Sequence, residues 1–284
     1  MDPPVTPSHP GAGLGTASRL SRPMREPNTP PAVRIQDLAV AYGEHVALRV
    51  SHLSVPAQRI TAVIGPNGSG KSTLLDAIAG LMMPAAGNVS VFGRRPADAR
   101  SEVAYVLQST NPNEVVPLTV REVVTMGRYA SRGTFRPLRG ADRRAVTQAM
   151  ERLAIAPLGR RHLSELSGGQ RQRVYVAQGL AQEADLLLLD EPGTGLDLPT
   201  KERMAEIVVE ERDFGRTIIY TTHDIGEAAE ADFVVLLARE VVAAGESEAV
   251  LTTDNLAVAY GAPIRLDGAG AIMLADARQP HHRA

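Results

Sequence analysis

Apolar and polar residues alternate from Val33 to Val40, the period-two pattern of a strand buried on one face. Ile60–Ile64 is instead a short apolar run that stops at Gly65, as a buried strand does when it feeds a turn. Helical spacing takes over at Lys71–Ala79, and Val89–Phe92 and Val103–Leu107 return to strand. From Ser109 to about Gln182 helical patterns dominate, at Val120–Met126, Arg143–Ile155 and Gly169–Leu180. Beyond that, Leu186–Leu189, Thr217–Tyr220 and Phe233–Leu237 read as strands, with Lys201–Glu211 and Ile225–Ala231 helical between them. Strand, helix, strand order at both ends predicts an α/β fold with a parallel sheet covered by helices. The helical middle reads as an inserted subdomain, and no internal repeat is present.

Composition narrows this picture without changing it. A chain of 284 residues that is 44% hydrophobic suffices for one large domain or two small ones. A formal net charge of −2 gives no reason to expect a nucleic-acid partner. The absence of cysteine excludes disulfides and thiolate metal sites, which fits a reducing compartment. No apolar run approaches the ~20 residues that cross a bilayer. The first 31 residues hold eight prolines and no apolar core, so they read as a disordered tail and not as a signal peptide. Residues 32–265 form the expected ordered unit. Leu266–Ala284 also reads as loose, and its His281-His282 pair offers neither the geometry nor the supporting partners of a metal site.

Chemistry enters at Gly65-Pro66-Asn67-Gly68-Ser69-Gly70-Lys71-Ser72-Thr73. The stretch matches G-x-x-x-x-G-K-[ST] in full, after a strand and opening a helix. Glycines let the backbone curl until its N–H groups point inward at phosphate, and the helix start adds partial positive charge. Lys71 suits the β and γ phosphates, Ser72 offers a hydroxyl to Mg²⁺, and Thr73 belongs near the α and β phosphates. The second half of such a site is Leu186–Pro192, "LLLLDEP". Burying Asp190 and Glu191 without partners would be costly. A Mg²⁺ ion, through a water, relieves that cost for Asp190, while Glu191 faces an attacking water.

Leu166-Ser167-Gly168-Gly169-Gln170 poses a separate question. Ser167 is an ordinary helix cap, but two glycines in a first turn cost about 1 kcal/mol each relative to alanine. Bare N–H groups at a helix start form an anion site. Because the loop at Gly65–Thr73 already holds its own phosphates, this second cradle suits a phosphate held elsewhere.

Together these motifs resemble the nucleotide-binding subunit of ATP-binding cassette (ABC) transporters, over about Val33 to Gly261. The resemblance implies a P-loop NTPase with a RecA-like core and parallel sheet, an antiparallel β subdomain, and an inserted α-helical subdomain at about 109–182. It implies ATP and Mg²⁺ as cofactors and transport-coupled hydrolysis, with Glu191 as general base. It also implies head-to-tail pairing, in which Ser167, Gly168, Gly169 and Gln170 face the ATP of a second copy. Tyr42, in "AYGEH", matches the aromatic that stacks on adenine. Gln108, closing "VAYVLQ", matches the glutamine that touches Mg²⁺ or its water and links the site to the membrane partner. Asp197, in "GTGLD", matches the segment that crosses to the facing subunit. His223, in "IIYTTHD", matches the histidine that holds the γ-phosphate and the attacking water.

Two departures stand out. Gly193 occupies a place where the family often has a larger residue, and Ala177-Gln178-Gly179 replaces the common Ala-Arg-Ala. Gly179 should soften its helix by up to ~1 kcal/mol, which puts the rate in question. Within Ser109–Leu138, "VPLTVREVVTMGRYASRG" resembles the permease-docking region of ATPases that serve manganese and zinc importers, and Leu251–Gly261 has a similar look. Ferric-siderophore, haem and cobalamin importers share this style and remain alternatives, as does a regulatory or anchoring ABC subunit. The implied partners are a second ATP-binding subunit, an integral membrane permease contacted through about 109–138, and an extracytoplasmic solute-binding protein. The implied location is peripheral, at the cytoplasmic face of the membrane.

Overall fold

The computed structural model describes residues 30–43, 45–108, 117–132, 137–261, 264–266 and 272–274. Residues 1–29 of the expected tail, the parts 109–116 and 133–136 of the expected docking region, and the end of the chain including His281-His282 lie outside them.

The alternating stretch forms β1 (Val33–Tyr42), the centre of a three-stranded antiparallel sheet. Its partners are β2 (His45–Val55) and β4 (Ala86–Val91). The sequence pattern missed β2 and read β1 as alternating throughout, although the inward side of each switches parity. Leu48 and Val50 are buried, and then Leu53 and Val55. The same slip occurs opposite, in β1, where Val33 and Ile35 give way to Leu38 and Val40 around Asp37, whose φ is +51°. Both strands change face together, so the pair stays in contact while simple period two is lost.

The main sheet has six strands. They are β3 (Ile60–Ile64), β5 (Val103–Val106), β6 (Leu186–Leu189), β7 (Thr217–Thr222), β8 (Phe233–Leu237) and β9 (Val241–Gly245), in the order β5-β6-β7-β3-β8-β9. All neighbouring pairs are parallel except β8 with β9. Layers on both faces explain the uninterrupted leucines of β6. Leu187 and Leu189 enter one core with Ile60, Ala62 and Ile64. Leu186 and Leu188 enter the other, beside Val63 and the inner face of the antiparallel sheet. Helix α1 (Lys71–Ala79) adds Leu74, Leu75 and Ile78 to that second core.

The inserted helices are α2 (Val120–Arg132), α3 (Gly140–Arg152) and α4 (Gly168–Gln182). Around the rest of the sheet run α5 (Leu198–Asp213), α6 (Ile225–Ala229), α7 (Ser247–Val250) and α8 (Thr253–Tyr260). A short antiparallel pair, β10 (Ile264–Leu266) and β11 (Ile272–Leu274), continues into the stretch that the sequence suggested was loose.

One buried arginine ties the inserted helices together. Arg128 of α2 donates to Asp142 Oδ1 on α3 (3.1 Å from Nε), to the Ala181 carbonyl at the end of α4 (2.7 Å), and to Glu183 (2.6 Å). Asp142 is completely buried, and its other oxygen accepts from the backbone N–H of Arg139 at the start of α3. A cation at the end of α4 also meets the negative end of the helix dipole.

Two glycines set the spacing of α4. A Cβ on Gly127 of α2 would overlap the Gln178 carbonyl oxygen, and a Cβ on Gly179 would come within 2.6 Å of Val106 Cγ2 on β5. Gly179 therefore does more than soften the helix, because its missing side chain lets α4 rest directly on the sheet. Gly127→Ala is expected to lose about 2 kcal/mol net. Overpacking costs up to about 3 kcal/mol, and helix propensity returns about 1. Chemical denaturation measures this; a variant as stable as the parent would show that α2 and α4 have room to separate.

Candidate active site

The main sheet delivers its functional residues where parallel strands end, the usual place for ligands in open α/β sheets. β3 runs into Gly65, where a Cβ would overlap the carbonyl oxygen of Leu237 at the end of β8, so the loop is pressed onto the sheet edge. Gly68 and Gly70 have φ of +75° and +99°, conformations that favour glycine. The loop closes through the Ser69 N–H, which donates to the Pro66 carbonyl (3.1 Å), and through the Arg239 N–H, which donates to the Ser69 carbonyl (2.9 Å). Asn67 and Gly68 are exposed at its tip.

Lys71 is buried and folded back across this loop. Its Nζ donates to the carbonyls of Gly65 (2.9 Å) and Pro66 (3.3 Å). Burial lowers its pKa, and the nearby charges of Glu191 and Asp190 oppose that shift. Ser72 and Thr73 follow in the first turn of α1, Ser72 exposed and Thr73 half-buried. The hydroxyl of Ser69 is buried with no hydrogen-bond partner among the described residues, which is costly unless a ligand supplies one.

The carboxylates lie at the end of β6. Asp190 is buried, and its Oδ1 accepts from Thr221 Oγ1 at 2.6 Å. Its N–H donates to the Val106 carbonyl (2.9 Å), which pins the turn to β5. Glu191 follows with φ of +46°, and its N–H donates to the same Thr221 hydroxyl at 2.8 Å. Its Oε2 accepts from Gln108 Nε2 (3.0 Å) and from Thr194 Oγ1 (3.1 Å). His223, exposed just past β7, lines a pocket together with Glu191, Gly193 and Lys201. The structure thus joins Lys71, Gln108, Asp190, Glu191 and His223 around adjacent strand ends. Thr221 and Thr194 make three of these contacts, and the sequence reading assigned neither a role. Thr221 carried no distinguishing signal, being one of three threonines in the strand Thr217–Thr222.

The other expected residues lie apart from this cluster. Ser167 caps α4, accepting from the Gln170 N–H (3.3 Å), while Gln170 Oε1 accepts from the Ser167 N–H (3.0 Å). A Cβ on Gly168 would meet nothing within 4 Å, and one on Gly169 only Leu196 Cδ2 at 3.4 Å. Asp197 caps α5 through the Thr200 N–H, and hydrogen bonding with Thr200 holds its carboxyl below the usual range. Tyr42 closes β1, and its side chain lies outside what the structure describes.

This donor set fits a Mg²⁺-bound polyphosphate. The loop offers turned-in backbone, a lysine and an orphaned hydroxyl. Across from it, Asp190 supplies one hard carboxylate. Among the described residues no cluster of three or more His, Asp or Glu side chains could cage an ion alone. Mg²⁺ suits that poverty, since it keeps its waters and leans on one or two carboxylates plus substrate phosphates.

The sequence profile of the ABC transporter family matches residues 48–194. The manganese transport system ATP-binding protein MntA of Synechocystis sp. (strain ATCC 27184 / PCC 6803 / Kazusa) is 37% identical, covering 81% of this chain and 90% of that protein. The zinc transport system ATP-binding protein TroB of Treponema pallidum (strain Nichols) is 40% identical, covering 82% and 88%. Among solved structures, an inward-facing ABC transporter described as of metal-chelate type superposes with a TM-score of 0.71 at 28% identity, covering 82% of this chain and 90% of that one. The dimeric, post-hydrolysis cassette MJ0796 bound to ADP and Pi gives a TM-score of 0.67 at 25% identity, covering 76% and 98%. With a family match across just over half its length and relatives this similar over most of it, the chain belongs to the ABC transporter family, as an ATP-hydrolysing subunit.

Proposed function

We propose that two copies of this chain pair head to tail over two ATP molecules and power a membrane permease that imports a divalent metal ion, manganese or zinc. The observation that carries the pairing is Gly168. It sits in open space, so nothing among the described residues requires a glycine there, yet it exposes backbone at a helix start. The facing γ-phosphate of a second copy supplies the missing reason. That the similar cassette bound to ADP and Pi is dimeric supports pairing.

Within each site, hydrolysis is an in-line attack of water on the γ-phosphate, in which positioning and charge stabilisation supply most of the rate. Lys71 leaves the loop carbonyls for the phosphates. Glu191 takes the proton of the attacking water, and His223 orients that water and the γ-phosphate. Mg²⁺, held by Ser72 and Asp190 with Gln108, would neutralise charge on the phosphate oxygens. The Gln108–Glu191 hydrogen bond joins the general base to the segment that leads toward the permease. No helix among the described residues is long and apolar enough to cross a membrane. In this reading the work is delivered to a separate permease, with the chain peripheral at the cytoplasmic face. An extracytoplasmic solute-binding protein would bring the cargo.

The metal reading rests on the manganese and zinc transport relatives. A metal-chelate cargo is the second reading, favoured by the superposed transporter of that type. Two measurements test the proposal. Turnover per subunit should rise with protein concentration at fixed MgATP, as a two-copy site demands. Vesicles holding the chain with its permease and solute-binding protein should take up manganese or zinc on ATP addition. Turnover independent of dilution rejects the shared site, and uptake of a ferric chelate alone rejects the ion.

A further inference from the structure

We infer that Thr221 is a positioning residue for ATP hydrolysis, its single hydroxyl locking Asp190 and Glu191 into one geometry; this rests on the roles just given to those two carboxylates. Leu189 of β6 is in register with Tyr220 of β7, so Thr221 comes level with Asp190 where β6 ends. On its other side, β7 pairs with β3, and Thr221 is in register with Val63. The side chain is fully buried, so its hydroxyl depends on protein partners. It has two, donating to Asp190 Oδ1 at 2.6 Å and accepting from the Glu191 N–H at 2.8 Å.

A hydroxyl carries one proton. Spending it on Asp190 turns the oxygen's lone pairs toward the Glu191 N–H, so each bond fixes the direction of the other. The second bond falls where the chain most needs holding. Glu191 has φ of +46°, a region that residues other than glycine seldom occupy. That turn aims the Glu191 carboxylate toward Gln108 and Thr194. Packing alone gives no reason for a hydroxyl at this position. Valine has nearly the same shape, suits a central strand and would bury no polar atom. The hydroxyl is explained by the two residues it joins, and both belong to the active site.

The test compares Thr221→Val with Thr221→Ser in the full chain. It reads kcat, KM and the ATP dissociation constant by calorimetry. Thr221→Val is expected to lower kcat at least tenfold while KM and the dissociation constant stay within threefold. Thr221→Ser, which keeps the hydroxyl and drops the methyl group, recovers most of the lost rate. In a Glu191→Gln background, single-turnover measurements should show a smaller loss from Thr221→Val than in the parent, because the part of the effect that acts through Glu191 is already gone while the part through Asp190 remains. Equal losses for valine and serine would assign the defect to packing and overturn the proposal, as would a valine variant at full rate. If the melting temperature shows that Thr221→Val does not fold, Thr221→Ala against Thr221→Ser makes the same comparison. A parent chain that hydrolyses no ATP sinks the underlying reading of the carboxylates, a failure distinct from these.

Discussion

Glu191→Gln is expected to bind MgATP, hydrolyse it about 10²–10⁴-fold more slowly, and accumulate as a closed dimer. The size follows from the role. A general base in the transition state contributes about that factor, and an amide of the same shape cannot take the proton. Folding should survive, because the Glu191 side chain is only half-buried and a glutamine oxygen can still accept from Gln108 or Thr194. Dimer accumulation follows from the shared nucleotide. An uncleaved γ-phosphate keeps bridging one copy's phosphate loop and the other's Ser167-Gly168 helix start. Size-exclusion chromatography under saturating ATP reads the dimer, and rapid quench reads the chemical step. A monomer that turns over normally would remove Glu191 from the reaction.

Gly168→Asp is expected to leave ATP binding by the single subunit intact and to abolish turnover. The usual objection to such a variant, that it damages the fold, does not apply here. The new Cβ meets nothing within 4 Å, and φ at Gly168 is not in the left-handed region. An acidic residue in the first turn of α4 also interacts favourably with the helix dipole, by about 0.3–1 kcal/mol. The isolated subunit should therefore be at least as stable as the parent. In the dimer the same carboxylate would sit where the γ-phosphate of the facing nucleotide must dock, and repulsion across a site closed to water is large. The expected result is an unchanged melting temperature, an unchanged ATP dissociation constant by calorimetry, and ATPase activity at background. Retained activity would mean that this helix start faces no phosphate.

Much of this site could be read from the sequence because its chemistry is local. The phosphate loop and the Asp190-Glu191 pair are each contiguous, and their residue types follow from what backbone and charge must do there. The fold was legible where burial is uniform. β6 and β3 read as buried strands because both faces are covered, whereas β2 escaped the reading and the parity change that it shares with β1 at Asp37 went unseen. What the sequence did not disclose is pairwise geometry. That Thr221 stands level with Asp190 depends on strand register. That Gln108 and Thr194 both reach one oxygen of Glu191 depends on two loops arriving from different strands. Gly179 shows the limit most clearly. Helix propensity marks it as a weakness, while the contact with Val106 marks it as a fit, and only the second depends on where β5 lies.

That fit has a mechanical consequence. Gly179 and Gly127 hold the far end of α4 tightly against β5 and α2, while Ser167 and Gly168 project from its other end. From Gly168 to Gly179 is about 16 Å along the axis, at about 1.5 Å per residue. A tilt of the rod by about 10° at its clamped end would swing the tip by about 3 Å, enough to make or break hydrogen bonds to a phosphate. Val106, the fulcrum of such a tilt, lies two residues from Gln108, so a push arriving at Gln108 would be applied next to the pivot and magnified at the opposite tip.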